Sequence, residues 1–144
     1  MHNRIATTAV LLLMATGLCA CSSGSPGDVA NMATVTINKS DIRMRHVNCA
    51  QREWFRTIEI GDGQVGATVE IDEGAPAMTP IFVRIRNMGG FTGMWSRGGG
   101  DPAGQEAKAS FSGSTYTVSG TANGSKSDDS TQAASADFKI VATC

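Results

Sequence analysis

Short runs of alternating apolar and polar residues recur along the chain, and this period of two constrains the fold more than any other feature. The clearest runs are Val65–Ile71, Pro80–Arg86 and Asp137–Cys144. Alternation places every second side chain on the same face, as in a strand with one buried face. Residues typical of turns separate most of the runs. The pattern predicts an all-β fold, an antiparallel β-sandwich of about seven to nine short strands.

Three segments give more specific expectations about where strands begin and end. Ile42 to Cys49 is predicted to be one strand, the second in the chain. Lys108–Phe111 and Thr115–Thr121 are predicted to form a hairpin around Ser-Gly-Ser. The polar stretch Asn123 to Ala136 is predicted to be an exposed, mobile loop.

Residues 1–20 have the composition of an export signal. Arg4 supplies a positive charge, and Ile5 to Leu18 form an uncharged run of about 14 residues, too short to span a membrane. The motif Leu18-Cys19-Ala20-Cys21 is typical of a bacterial lipobox, where the chain is cleaved before a lipid-carrying cysteine. We therefore predict a lipoprotein signal peptide over residues 1–20 and lipidation of Cys21. The alternative is an ordinary secretory signal that leaves Cys21 as a free thiol.

Lipidation of Cys21 implies both a location and a domain organisation. The cysteine carries a diacylglycerol group and often an amide-linked acyl chain, and two or more acyl chains anchor a protein stably. Residues 21–33 form the lipidated N-terminus and a flexible tether, and residues 34–144 form one β-domain. The expected partners are the membrane and the lipoprotein-processing enzymes. The expected location is the outer face of the cytoplasmic membrane or the cell wall.

The net charge gives no indication of a nucleic-acid partner. The whole chain carries −1, and removal of residues 1–20 takes away only Arg4, which leaves −2. A protein with this balance has no overall attraction to nucleic acid or to anionic lipid.

The four cysteines predict one disulfide. Cys19 leaves with the signal peptide and Cys21 is acylated, so Cys49 and Cys144 remain as a pair in an oxidising compartment. A metal site built on these two thiols lacks further ligands, because His46 is the only histidine after residue 20. We predict no metal and no cofactor other than the acyl chains.

No residue pattern indicates catalysis. Gly61 to Gly66 matches G-x-G-x-x-G, but a strand-like run follows it where a dinucleotide site needs a helix, so a hairpin turn is predicted. His46 has no accompanying nucleophile motif. We therefore predict a non-enzymatic protein with no catalytic residues.

Four arginines suggest a binding surface. Arg43 and Arg45 share one face of their predicted strand, and Arg84 and Arg86 share one face of theirs. Guanidinium groups bind phosphates and carboxylates well, so adjoining faces would bind an anionic envelope component. The alternative is that these arginines pair with surface carboxylates such as Glu59.

Two stretches also resemble a known family. They are Val47-x-Cys49 followed by Ile58-x-Ile60-Gly61, and Tyr116–Gly124 followed by the tail Phe138–Cys144. With the lipobox, they are similar to the mycobacterial LpqH-like family of nineteen-kilodalton lipoprotein antigens. The resemblance implies a surface-exposed envelope lipoprotein without catalytic residues. It also implies a lipidated Cys21, a Cys49–Cys144 pair and recognition by host Toll-like receptor 2.

Together these observations predict an anchored surface lipoprotein and antigen, whose acylated N-terminus is a receptor ligand. The alternative function is a binding or carrier protein for an envelope lipid or an acidic glycan. The four arginines are the residues on which that alternative depends.

Overall fold

The computed structural model describes residues 31–74, 76–99 and 106–144, which form ten β-strands and no helix. The predicted signal peptide, Cys21 and most of the tether lie outside the described residues. The strands are β1 (Ala33–Ile37), β2 (Ser40–Met44), β3 (Val47–Arg52), β4 (Phe55–Gly61), β5 (Gly66–Asp72), β6 (Thr79–Met88), β7 (Phe91–Ser96), β8 (Lys108–Ser112), β9 (Thr115–Lys126) and β10 (Ala133–Thr143).

The strands form one nearly closed antiparallel sheet. Its order is β2-β1-β10-β9-β7-β6-β5-β4-β3, and β8 pairs with β9 beside β7. Strand β9 is long enough for both, because β8 pairs with its first half and β7 with its last residues. The predicted all-β, antiparallel fold class is confirmed, with ten strands in the described residues instead of about seven to nine.

The additional strand arises where Ile42 to Cys49 was expected to be continuous. That expectation is wrong, because β2 pairs with β1 whereas β3 pairs with β4. The chain must change partner between the two strands, and it does so at Arg45 and His46. Cys49 consequently lies on the third strand and not on the second.

The polar stretch from Asn123 to Ala136 is also different from its prediction as a loop. Strand β9 continues to Lys126 and β10 begins at Ala133, so only a six-residue turn separates them. The Ser135 hydroxyl donates to Asn123 Oδ1 at 2.7 Å on the outer face, while the paired Ala122 and Ala136 are buried. These two alanines occupy the buried positions of the strand alternation, but they are too small to show it in the sequence pattern. The predicted hairpin of β8 and β9, in contrast, is confirmed.

The core consists of inward-facing side chains from two groups of strands. Ile58, Val69, Val83 and Trp95 occupy successive paired positions across β4, β5, β6 and β7. The other group has Val35, Ile140 and Val118 across β1, β10 and β9. All seven side chains are buried, and among the described residues no polar or charged residue is fully buried. The alternation in the sequence thus becomes one continuous apolar interior.

The G-x-G-x-x-G segment forms the predicted hairpin turn between β4 and β5. Asp62 Oδ1 accepts hydrogen bonds from the backbone N–H groups of Gln64 and Val65 at 2.7 and 2.8 Å. These two bonds, from Val65 and then Gln64, hold the pKa of Asp62 below its ordinary value of 3.8. A Cβ at Gly66 would lie 1.9 Å from the Ile60 carbonyl oxygen, so the turn requires glycine there.

The predicted disulfide between Cys49 and Cys144 is confirmed. It joins β3, at one edge of the sheet, to the residue that follows β10, with 5.9 Å between the Cα atoms. The two cysteines are 95 residues apart in sequence. Cys144 N also donates to the Ser114 carbonyl at 2.9 Å, which holds the C-terminus against the β8–β9 turn.

We expect the paired substitution Cys49→Ser and Cys144→Ser to lower the free energy of unfolding by about 4–5 kcal/mol, because the unfolded chain gains the freedom of a long open loop. Urea denaturation of the wild-type and variant domains measures the difference. The control is reductant, which should destabilise only the wild type. Equal midpoints for the two proteins would contradict the prediction.

We expect Ile140→Ala to cost roughly 2–5 kcal/mol, because it leaves a cavity between the two groups of core strands. The neighbouring Lys139→Ala is the matched control, because Lys139 is exposed on the other face of β10. Its effect should stay within about 0.5 kcal/mol. Similar losses for both variants would show that the assigned inner face is wrong.

Candidate functional site

The four arginines of the predicted anionic-ligand patch lie on separate parts of the sheet. Arg43 is on β2, and Arg45 lies in the connection after it, so the two do not share a regular strand. Arg84 and Arg86 are both on β6. In the order of the sheet, β1, β10, β9 and β7 separate β2 from β6. A common patch of the four stays a prediction.

The Arg86 guanidinium is hydrogen-bonded to β5 and to the β4–β5 turn. Its Nη1 donates to Thr68 Oγ1 at 2.9 Å, and its Nη2 donates to the Asp62 carbonyl at 3.1 Å. Arg84 is exposed, and its guanidinium lies 5.4 Å from the ring centroid of Phe82. Arg86 therefore fastens the β4–β5 turn, and Arg84 is the more accessible cation of the pair.

Neither a metal-binding cluster nor a membrane-spanning helix is present in the described residues. Within 31–74, 76–99 and 106–144, no group of three or more His, Cys, Asp or Glu residues is placed to hold a metal ion. Nor does this part of the chain contain a helix with the length and apolar character needed to cross a membrane.

A polar network lies where β3, β4 and the end of β5 meet β9, and we call it the Glu73 network (Gln51, Arg56, Glu73 and Tyr116). Glu73 Oε1 accepts a hydrogen bond from the Tyr116 hydroxyl at 2.6 Å and from Arg56 Nε at 3.2 Å. Arg56 Nη2 also donates to Gln51 Oε1 at 2.7 Å. The network connects β3, β4, the end of β5 and β9 through side chains that are far apart in sequence.

Tyr116 is the buried member of this network. The Tyr116 ring packs against the Phe111 ring, with 4.4 Å between the two centroids. The Arg56 guanidinium lies 5.5 Å from the centroid of the Tyr116 ring. Burial, followed by the hydrogen bond to Glu73, raises the pKa of Tyr116 above its ordinary value of 10.0, while Arg56 opposes the shift. The phenol is thus held in its protonated, donating form.

The β3–β4 turn beside this network presents an exposed tryptophan. Trp54 is 66% exposed, yet its carbonyl accepts a hydrogen bond from Glu73 N at 2.7 Å. A Cβ at Gly74 would lie 2.9 Å from the Trp54 Cβ, so the two loops are in close contact. Glu53, the other turn residue, has a φ of +55°, a conformation unfavourable for a residue with a side chain. The turn is therefore well defined although its indole is in solvent.

Two larger open grooves lie on the surface, and the second of them begins beside the Glu73 network at Gln51. One, of about 700 Å³, is at the opposite end of the sheet, where the β6–β7 turn approaches the β9–β10 turn; Asn38, Asn87, Lys126 and Asp128 are among its lining residues. The other, of about 440 Å³, runs over the outer face of β3–β5 and includes Glu59 and Glu70. None of the four predicted patch arginines lines either groove.

Sequence reasoning did not find the Glu73 network. In the sequence Glu73 is only the second residue of an acidic pair, Asp72-Glu73, and its contact with Tyr116 crosses 43 positions of the chain. Such a contact depends on how β5 and β9 meet across the interior, which no local pattern reports. The one available signal in this region is the pair Trp54-Phe55, two adjacent aromatic residues in a chain that is only 6% aromatic.

Comparison with known proteins gives a consistent result. The family model described as Mycobacterium 19 kDa lipoprotein antigen matches residues 26–144. A "Putative lipoprotein" of Mycobacterium avium subsp. hominissuis is 44% identical over 144 residues, covering all of this chain and 97% of that protein. A "Putative lipoprotein" of Mycobacterium indicus pranii is 45% identical over 145 residues, and the alignment covers all of both chains. The "Probable lipoprotein LppE" of Mycobacterium tuberculosis is 35% identical over 148 residues, and that alignment also covers all of both chains.

We expect titration of the tyrosine to give a midpoint above 10.0 in the folded protein. Tyr116 is the only tyrosine, so the near-ultraviolet absorbance of tyrosinate reports on it alone. Because the folded pKa is raised, the contribution of Tyr116 to stability is complete below the unfolded value and is lost as the pH rises through the folded value.

The matched variants for this titration are Glu73→Gln and Glu59→Gln. Glu73→Gln should lower the midpoint relative to wild type, because it removes the negative charge beside the phenol. Glu59 is exposed on the outer face of β4, so Glu59→Gln should leave the midpoint unchanged. A wild-type midpoint at the value of the unfolded protein would contradict the assigned burial.

Proposed function

Since the chain belongs to the Mycobacterium 19 kDa lipoprotein antigen family and is a lipoprotein of the cell envelope, we propose that acyl chains on Cys21 anchor it and that it has no enzymatic activity. The observation that carries this proposal is the extent of the similarity. The alignment with the Mycobacterium avium lipoprotein covers the whole chain, and so includes the lipobox at Leu18–Cys21.

The anchor has a direct physical consequence. Each buried methylene contributes about 0.8 kcal/mol, so a diacylglycerol group holds the protein on the membrane without help from the domain. Cleavage before Cys21 would place residues 21–144 on the outer face of the cytoplasmic membrane or in the cell wall. The Cys49–Cys144 disulfide agrees with such an oxidising location.

The acylated N-terminus is in our proposal also a ligand for host Toll-like receptor 2. Ten residues separate Cys21 from Met32, the residue that precedes β1. A Gly/Ser-rich linker of that length spans roughly 16–19 Å on average, which is enough for a receptor to take the acyl chains without contacting the β-domain. The signal would then depend on Cys21 and its neighbours alone.

A carrier function for an envelope lipid or acidic glycan is the alternative. It calls for several cationic groups beside a cavity, but the groove on β3–β5 has Arg52 with Glu59 and Glu70, and the larger groove has Lys126 with Asp128. Native mass spectrometry of protein purified from its own envelope and then delipidated at Cys21 tests this function. A stoichiometric bound lipid or glycan would place the carrier function first.

We expect Cys21→Ala to move the protein from the detergent phase to the aqueous phase of a detergent partition and to abolish receptor stimulation in reporter cells. Cys19→Ala is the matched control, because that residue belongs to the predicted signal peptide and alanine suits a lipobox. Cys19→Ala protein should keep both properties. Detergent-phase retention of Cys21→Ala protein would overturn the anchor.

A further inference from the structure

One end of the β-domain carries most of its exposed large apolar side chains. Trp54 is 66% exposed, Phe111 47%, Met32 46% and Phe55 37%. In the described residues only Met94, on β7, is a further exposed side chain of this kind. We call the four residues Met32, Trp54, Phe55 and Phe111 the aromatic end.

A short series of contacts connects the parts of the aromatic end. The Met32 carbonyl accepts from Thr143 N at 2.9 Å, and Thr143 is paired with Thr115 on β9. Neighbouring strands are about 4.8 Å apart, so the start of β1 lies about 10 Å from the β8–β9 hairpin. The next residue of β9, Tyr116, is paired with Phe111.

The same tyrosine continues the series to the tryptophan. Tyr116 donates to Glu73 Oε1 at 2.6 Å, and Glu73 N donates to the Trp54 carbonyl at 2.7 Å. The Glu73 network therefore holds the β3–β4 turn at the end of the domain where the tether joins β1. The polar groove lined by Asn38 and Asn87 lies at the other end.

The tether determines which surface this end can meet. Only residues 22–31 lie between Cys21 and Met32, and a Gly/Ser-rich linker of ten residues spans roughly 16–19 Å. A membrane that holds Cys21 is consequently within reach of the aromatic end, and the aromatic end is the part of the domain nearest to it. Indole and phenyl rings are favoured at the boundary between lipid headgroups and acyl chains.

The charges around this end favour apolar contact over electrostatic attraction. Arg52 and Glu53 are exposed beside Trp54, and Asp72 and Glu73 lie in the adjoining strand and loop. With Arg56, which pairs with Glu73, these groups are two cations and three carboxylates, so an anionic lipid surface gains nothing from them. The binding expected from this composition depends weakly on salt.

We infer that the aromatic end rests on the outer leaflet of the membrane that holds the anchor, with Trp54 and Phe111 in the headgroup region. This inference rests on the proposed acylation of Cys21. It makes the tether a short connection at the membrane surface and orients the β-domain, so that the Asn38–Asn87 groove faces away from the lipid. The domain itself is then a second, reversible membrane contact.

The test uses the full lipidated protein in vesicles of phosphatidylcholine and phosphatidylglycerol, with and without bromine on the acyl chains. Bromine quenches an indole that reaches the lipid. Wild-type emission should fall by up to about half in brominated vesicles, since Trp54 is one of two tryptophans and Trp95 is buried. Trp54→Phe should abolish the quenching, and high salt should preserve it in the wild type.

The control is a second variant, Trp54→Phe combined with Met94→Trp. It moves an exposed indole to β7, away from the aromatic end, and should show no quenching. Phe111→Ser in the otherwise wild-type chain should weaken the quenching of Trp54. A folded, anchored wild type with equal emission in both kinds of vesicle would overturn the inference.

Flotation and mass analysis separate this inference from the function on which it rests. Protein that floats with vesicles but shows no quenching disproves only the orientation. Protein that stays in solution with an unmodified Cys21 disproves the anchor and the inference together. A Trp54 emission shift that follows protein density instead of bromination would assign the aromatic end to contact between copies, which also overturns the inference.

Discussion

The long antiparallel ladder between β9 and β10 is the element on which the rest of the fold depends. It pairs every residue from Ala133 to Thr143 with β9. The outer edge of β10 receives β1, and the other edge of β9 receives β8 and then β7. Because β7 leads on to β6, β5, β4 and β3, the ladder joins the N-terminal strands to the middle of the chain. Its inner residues, Val118 and Ile140 among them, also form one side of the core.

Closure of the sheet relies on two further links at the C-terminal end of β10. The disulfide joins Cys144 to Cys49 on the edge strand β3, and the Glu73 network joins β4 and β5 to β9. The Arg56–Glu73 ion pair has side chains that are only 19% exposed, and at that burial the cost of removing two charges from water offsets much of their attraction. Its principal effect is therefore geometric, because it holds the β3–β4 turn and Trp54 in place.

These links give the two parts of the protein different physical roles. The anchoring signal that we propose at Leu18–Cys21 is a linear motif, which depends on local sequence alone. The part of the β-domain that the structure describes has no fully buried polar or charged residue, and it places its unusual groups, exposed aromatic rings and a partly buried ion pair, at one end. That end is also where the chain from Cys21 enters the sheet, so a linear signal and a folded surface meet at Met32.

Much of this protein was readable from local sequence. Alternation predicted most strands and cysteine arithmetic predicted the Cys49–Cys144 pair, because each depends on neighbours or on residue counts. The anchor indicated by the lipobox stays a prediction. The sequence does not show which strands pair with each other. The predictions of one strand from Ile42 to Cys49 and of a loop from Asn123 to Ala136 were therefore wrong. The four arginines looked alike in sequence, yet Arg86 is engaged by Thr68 and Asp62.

What the sequence by itself determined is the all-β class and the Cys49–Cys144 disulfide, since these follow from side-chain period and residue counts. The lipid signal at Cys21 rests on a local motif as well and stays a prediction. Only the tertiary structure decided that Glu73, Tyr116 and Trp54 lie together beside the start of β1. The physical reason is that a strand's period belongs to the strand alone. The neighbours of a strand depend on the free energy of the whole packed sheet.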